Sequence, residues 1–272
     1  LVGSEMCIRD RFLVWTTTPW TLPSNVALAV NRDLEYADVF HKPSGRIYIL
    51  ASELVNRVFE DNIENIEVRR SYGGEELLGI EYEPLFRLYK GEKRAYYVIH
   101  GDFVSTTEGT GIVHIAPAFG DEDFQAGKEN DLPILQPVDL NGRFTAEFKG
   151  YEGMWVKDAD KKIMEALKKA GRLWKVQMYG HDYPFCWRCD TPLLYYAKDA
   201  WFLKTTAIKD IIIKNNNNIN WHPPFMGSGR FGDFLENMID WALSRERYWG
   251  TPLNIWVCQK CGQKVSIGSR RE

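Results

Sequence analysis

A change of apolar rhythm near residue 150 constrains this chain more than any other feature. From Phe12 to about Gly150 the apolar residues come in short runs, FLVWTTT, VALAV, RIYIL, IEVRR, AYYVIH and GIVHIA, each cut off by Gly, Pro, Asn or Asp. Runs this short, rich in β-branched and aromatic residues and bounded by turn formers, predict strands rather than helices. Helices are expected at only two places in this stretch, over residues 52–61 and from near Asp121 to about Asn130.

Beyond Gly150 the spacing becomes helical. Ile163, Ala166, Leu167 and Ala170 share one face of a helix expected over residues 158–170, with Asp158 as its N-cap and Gly171 as its stop. A domain edge is expected just past it, near residue 172. Residues 183–204 read as short strands around a cysteine pair, 205–214 as helix, 215–218 as a polar loop and 227–238 as helix. The aromatic-rich stretch 241–256 then leads to a second cysteine pair. The first eleven residues, LVGSEMCIRDR, lack either periodicity and read as a non-native scar, Cys7 included.

With 272 residues, 44% of them hydrophobic, the chain can bury a sizeable core. No run approaches the roughly 18 apolar residues of a membrane helix, and no signal peptide is evident, so a cytoplasmic protein with no membrane contact is expected. A net charge of −3 argues against a strongly basic nucleic-acid binder. Four of the five cysteines form two C-x-x-C pairs, Cys186/Cys189 and Cys258/Cys261. Without a secretory signal such pairs favour zinc over disulfides, and one shared four-cysteine site is the simplest arrangement. On that feature alone, the chain also reads as a zinc-ribbon nucleic-acid-binding module without catalytic activity.

Two polar clusters carry chemistry. WTTTPWTLPSN, residues 15–25, sets Thr16, Thr17, Thr18 and Thr21 among two prolines and two tryptophans. These hydroxyls can line a small polar pocket; taken alone, the segment also reads as a strand leaving through a proline turn. In GTGIVHIAPAFGDED, residues 109–123, the Gly109-Thr110-Gly111 turn feeds a strand that places Ile112 and His114 on one face. Asp123 then falls in the first turn of a helix, where the macrodipole favours its ionised form and suits it to a cation. A satisfied core histidine and an ordinary first-turn acid remain equally open from these residues alone.

These segments, in this order, resemble the editing domain inserted into class I aminoacyl-tRNA synthetases of the isoleucine type. Valyl and leucyl members typically continue the threonine segment with Arg-Pro-Glu-Thr or Arg-Pro-Asp-Thr, whereas Thr18 here precedes Pro19-Trp20-Thr21-Leu22-Pro23-Ser24-Asn25. His114 fits the isoleucine type, where the valyl pattern more often has lysine. YPFCWRCDTPLLYYAKDAWF (183–202) and DWALSRERYWGTPLNIWVC (240–258) resemble the segments leading back into the synthetic domain. The resemblance runs from Phe12 to about Ser269.

The resemblance implies a mixed α and β chain: a β-barrel-like editing domain over 12–172, then, over 173–272, an incomplete part of the α/β Rossmann catalytic domain with zinc-binding segments. It implies hydrolysis of mischarged valyl-tRNA(Ile), with tRNA(Ile) and mischarged aminoacyl-tRNA as partners and a monomeric state. Thr18, Thr21, His114 and Asp123 are the implied catalytic residues, His114 limiting side-chain size and Asp123 binding the α-ammonium. Thr16, Thr17, Trp20, Gly109, Thr110 and Gly111 are implied to bind substrate. In the family each cysteine pair is expected to join a further pair elsewhere, which makes Cys186/Cys189 and Cys258/Cys261 two zinc half-sites. Sequences of the His-x-Gly-His and Lys-Met-Ser-Lys-Ser types occur nowhere in the chain, so ATP and Mg, and with them isoleucine activation, are expected only in the full-length parent. The need for editing is energetic: one methylene separates valine from isoleucine, worth only about 1 to 3 kcal/mol in a pocket, a magnitude measured on this very family.

Overall fold

The runs VALAV, RIYIL, IEVRR, AYYVIH and GIVHIA become strands β2 (Ala27–Val30), β4 (Arg46–Ala51), β5 (Ile66–Gly73), β6 (Tyr97–His100) and β7 (Val113–Ile115). A computed structural model describes residues 10–177, 180, 183–246 and 249–271; Cys7 and the rest of residues 1–9 lie outside them. Two further strands escape the sequence reading. Asp10–Phe12 forms β1, which includes two residues of the expected scar and pairs in parallel with β4. Glu35–His41 forms β3, whose EYADVFH carries two acids, Glu35 and Asp38, residue types depleted in strands, and so reads weakly as a strand.

The chain divides into two units, residues 1–197 and 198–272. In the first, the strands make two sheets, ordered β1-β4-β3-β5 and β6-β2-β7. Both are open, which corrects the expected barrel-like body. Closure requires the outer strands to pair with each other, but β1 has only three residues and β5 is exposed along most of its length. The FLVWTTT run contributes only Phe12 to a strand. Trp15 makes one bridge to Val113, and the chain then turns into a 3-10 helix, Pro19–Ser24.

Among the described residues three α-helices complete the unit: α1 (Val55–Val58), flanked by 3-10 turns, α2 (Asp121–Glu129) and α3 (Val156–Lys169). α3 begins earlier than expected, with Trp155 rather than Asp158 as N-cap, and buries Val156, Ala159, Ile163 and Leu167. Gly171 ends it with a φ of +63°, the left-handed value that a glycine adopts without steric cost. The buried face joins Trp20, Leu22 and Phe119 in one core cluster. Residues past the expected edge at 172 stay with this unit: Leu173, Leu194 and Tyr196 pack on the same cluster, and the Ala197 amide donates to the Ala118 carbonyl at 2.8 Å.

In the second unit α4 (Lys209–Asn217), α5 (Phe225–Ser228) and α6 (Arg230–Glu236) accompany β8 (Phe202–Leu203) paired with β9 (Trp241–Ala242) and β10 (Ile255–Val257) paired with β11 (Lys264–Ser266). Both ladders are antiparallel. A Rossmann sheet needs parallel strands joined by crossovers, and the described residues here form none. The expected polar loop 215–218 is mostly the end of α4. Asn216 is buried there because its Nδ2 donates to the Gly227 carbonyl at 2.8 Å, giving the polar side chain a partner inside the unit. Among the described residues no helix is long and apolar enough to cross a membrane.

Candidate active site

The threonine segment and β7 converge because β2, separated from Pro19–Ser24 by two residues, pairs with β7 and sets Leu28 opposite His114. That pairing carries the turn to the histidine. Thr21 Oγ1 lies 3.0 Å from His114 Nε2 and Thr16 Oγ1 lies 3.4 Å from it. Thr18 Oγ1 lies 3.2 Å from Thr21 Oγ1 and 3.5 Å from Thr16 Oγ1, and the Thr18 amide donates to Thr16 Oγ1 at 3.1 Å. Three hydroxyls and one imidazole thus form a connected cluster. Thr21 and His114 are buried, Thr16 and Thr18 half-buried, and Thr17 is exposed outside the network.

Thr21 Oγ1 lies 2.8 Å from the Thr18 carbonyl and 3.0 Å from His114 Nε2, so its single proton can go to either acceptor, and the tautomer of the ring decides which side donates in the Thr21–His114 contact. His114 Nδ1 is buried and without a hydrogen-bond partner. Burial lowers the imidazole pKa to about 4, since a charged ring would be poorly solvated there. At neutral pH the His114 ring is uncharged.

Asp123 sits in the first turn of α2, as expected. Its Oδ2 accepts the Ala116 amide at 2.9 Å, which ties it to the chain two residues beyond His114. Burial, outweighing the Ala116 hydrogen bond and aided by Glu122, raises its pKa to about 6. This reverses the direction expected from the helix macrodipole, because lost hydration outweighs a helix-end interaction worth only about 0.3 to 1 kcal/mol. The group is still largely ionised at pH 7.

The Gly109-Thr110-Gly111 turn needs both glycines. Each has φ near +70°, and a Cβ on Gly111 would lie 2.4 Å from Ala51 Cβ while one on Gly109 would lie 2.8 Å from Trp15. Thr110 is buried with its hydroxyl on the Ile112 carbonyl. Trp20 points away from the cluster into the core, its ring 4.9 Å from that of Phe119. Two contributors escape the sequence reading. Tyr36 anchors the glycine turn by donating to the Gly111 carbonyl at 2.8 Å, and Asp160 accepts the Trp20 amide at 2.7 Å. Asp160 was detectable in principle: it lies between Val156 and Ile163 at helical spacing, an acid on a buried face.

The cysteine pairs occupy two similar turns. The Cys186 carbonyl accepts the amide of Asp190 and the Cys258 carbonyl that of Gly262; the Cys186 and Cys258 amides donate to Thr191 and Gln263. Thr191 hydrogen bonds lower the Cys189 pKa, and the Cys261 and Lys260 amides lower that of Cys258. Each turn thereby favours thiolate, the metal-binding form. A tetrahedral zinc site needs four ligands, and among the described residues no group of three or more His, Cys, Asp or Glu is arranged to hold a metal.

Comparisons place this chain in a family. Residues 7–272 match the model of the class I tRNA synthetases (I, L, M and V). The chain is 52% identical over 260 residues to an isoleucine–tRNA ligase of Clostridium novyi, covering 96% of this chain and 24% of that protein. It is 49% identical over 257 residues to isoleucine–tRNA ligase 2 of Bacillus anthracis, covering 94% and 24%. The crystal structure of GlLeuRS-CP1 shares the fold at TM-score 0.52 and 13% identity, over 62% of this chain and 84% of that one. The chain spans about a quarter of the length of the curated relatives it matches, and it belongs to the class I tRNA synthetases.

Proposed function

We propose that this chain is the editing part of an isoleucine–tRNA ligase and hydrolyses mischarged valyl-tRNA(Ile). The observation that carries the reading is the hydrogen-bonded cluster of half-buried Thr16 and Thr18 with buried Thr21 and His114, with Asp123 tied to the same strand end. In this reading Thr16, Thr17, Thr18 and Thr21 receive the terminal adenosine and the aminoacyl ester. Asp123 meets the α-ammonium, and the neutral His114 limits side-chain length, so that valine enters and isoleucine does not. Gly109, Thr110 and Gly111 form the rim, and Trp20 supports the threonine turn from the core. No Ser-His-Asp or Cys-His set supplies a covalent nucleophile among the described residues, so a positioned water attacks the ester carbonyl. The full-length parent attaches isoleucine to tRNA(Ile) using ATP and Mg. The zinc-ribbon alternative is not favoured, since the family match spans the threonine segment as well as the cysteines.

The purified chain, given valyl-tRNA(Ile) and isoleucyl-tRNA(Ile) in parallel, should release valine and spare isoleucine, and should show no isoleucine-dependent ATP–pyrophosphate exchange. Equal or absent release of both amino acids would refute the editing reading.

Zinc is proposed as a structural ion, held by Cys186 and Cys189 in one place and Cys258 and Cys261 in another, each pair completed by further ligands. Two thiolates make half of a tetrahedral site, so zinc should bind the chain weakly and leave with a mild chelator. Stripping it should leave valine release unchanged. Activity lost on chelation and regained with zinc would instead put the metal in the reaction.

A further inference from the structure

The Pro19–Ser24 turn begins with an unusual division of labour. A helix start leaves backbone N–H groups unpaired, and a Ser or Thr just before it ordinarily accepts one through its own hydroxyl. Thr18 holds that place, yet it makes no side-chain cap. Its hydroxyl faces Thr16 and Thr21 instead. Pro19 has no N–H, and the Thr21 amide donates to the Thr18 carbonyl at 3.0 Å. The Trp20 amide is the donor left over, and Asp160, on α3 and 140 residues away in sequence, accepts it at 2.7 Å.

We propose that Asp160 is a positioning residue of this site: it caps the threonine turn in place of Thr18 and so leaves the Thr18 hydroxyl to the Thr16–Thr21–His114 cluster. The inference rests on the editing reading for its catalytic consequence and on the hydrogen bonds alone for its structural one. Trp20 and Leu22 on the turn pack with Val156, Ala159 and Ile163 of α3, so the apolar contact sets the distance between turn and helix while Asp160 sets the register. Only the acceptor's position is required. Burial raises the Asp160 pKa to about 6 despite the Trp20 amide and Lys157, and a neutral oxygen can hold the same N–H.

Three variants separate position from charge. Asp160→Ala removes the acceptor; Asp160→Asn keeps it in place without charge; Asp160→Glu keeps the charge but moves the oxygens by one methylene. For a positioning role, Ala and Glu should lower kcat for valine release about 10- to 100-fold with little change in KM, while Asn stays within about threefold of wild type. Amide exchange over residues 20–25, followed by mass spectrometry, should accelerate in Ala and Glu and not in Asn. If Ala does not fold, the Glu and Asn pair carries the test. An active Glu variant beside an impaired Asn variant would overturn the proposal, as would unchanged exchange in Ala and Glu. Faster exchange with unaltered kcat would also overturn it, leaving Asp160 merely structural. A wild-type chain that releases no valine would refute the editing reading, and the exchange comparison would still decide whether Asp160 caps the turn.

Discussion

Asp123→Asn is expected to slow valine release from valyl-tRNA(Ile) by about 100-fold while leaving the fold intact, because it removes the charge of a half-buried partner of the α-ammonium. Every aminoacyl-tRNA carries an α-ammonium, and a carboxylate meeting it forms a charge-assisted hydrogen bond roughly twice as strong as a neutral one. Asn is the informative replacement. Its amide oxygen can still accept the Ala116 N–H that Asp123 holds at 2.9 Å, whereas Ala would leave that donor unpaired at a cost of about 1 to 3 kcal/mol. Near-normal hydrolysis by the Asn variant would reduce Asp123 to a helix acid.

The same residue sets a pH limb. With the pKa raised by burial to about 6, the carboxyl is neutral below that value, so valine release should fall as pH drops through about 6. Its effect on stability has the opposite sign: a raised acid contributes stability at low pH that is lost as pH rises through the folded pKa. Melting curves at each pH therefore separate lost chemistry from lost fold. A rate that stays flat from pH 7 to 5 would remove the carboxylate from the reaction.

His114→Ala should produce the other large change, in specificity rather than rate. With the ring gone, isoleucyl-tRNA(Ile) should become a substrate and the preference for valine should shrink by about 10- to 100-fold, since one methylene in an apolar pocket is worth about 1 to 3 kcal/mol. Removing a buried ring also leaves a cavity costing about 2 to 4 kcal/mol, so the assay belongs well below the variant's melting temperature. The wild-type ring has its pKa lowered to about 4 and therefore withdraws stability as pH falls from its unfolded value near 6.5 towards 4. The Ala variant should lose that acid-side sensitivity. Unchanged discrimination in a folded variant would end the size-limiting role.

Much of this molecule was legible in local patterns. Strands β2, β4, β5, β6 and β7 follow from short apolar runs between turn formers, α2 from Asp121 onward was placed almost to the residue, and α3 follows from its 3.6-residue spacing. The threonine segment reads as a dense polar cluster, His114 as a polar residue in an apolar strand and Asp123 as a first-turn helix acid. What the sequence could not decide are matters of distance between remote segments. The open sheets depend on which strand edges meet. The neutral state of His114 and the raised pKa of Asp123 depend on how much water the packed core removes, which overrode the local helix-dipole argument. Trp20 belongs to the core because α3, far along the chain, supplies the surface it packs against. The Asp160 cap on the Trp20 amide is the clearest case: helical periodicity puts an acid on a buried face, but only the tertiary contact between α3 and the threonine turn determines which backbone N–H it satisfies.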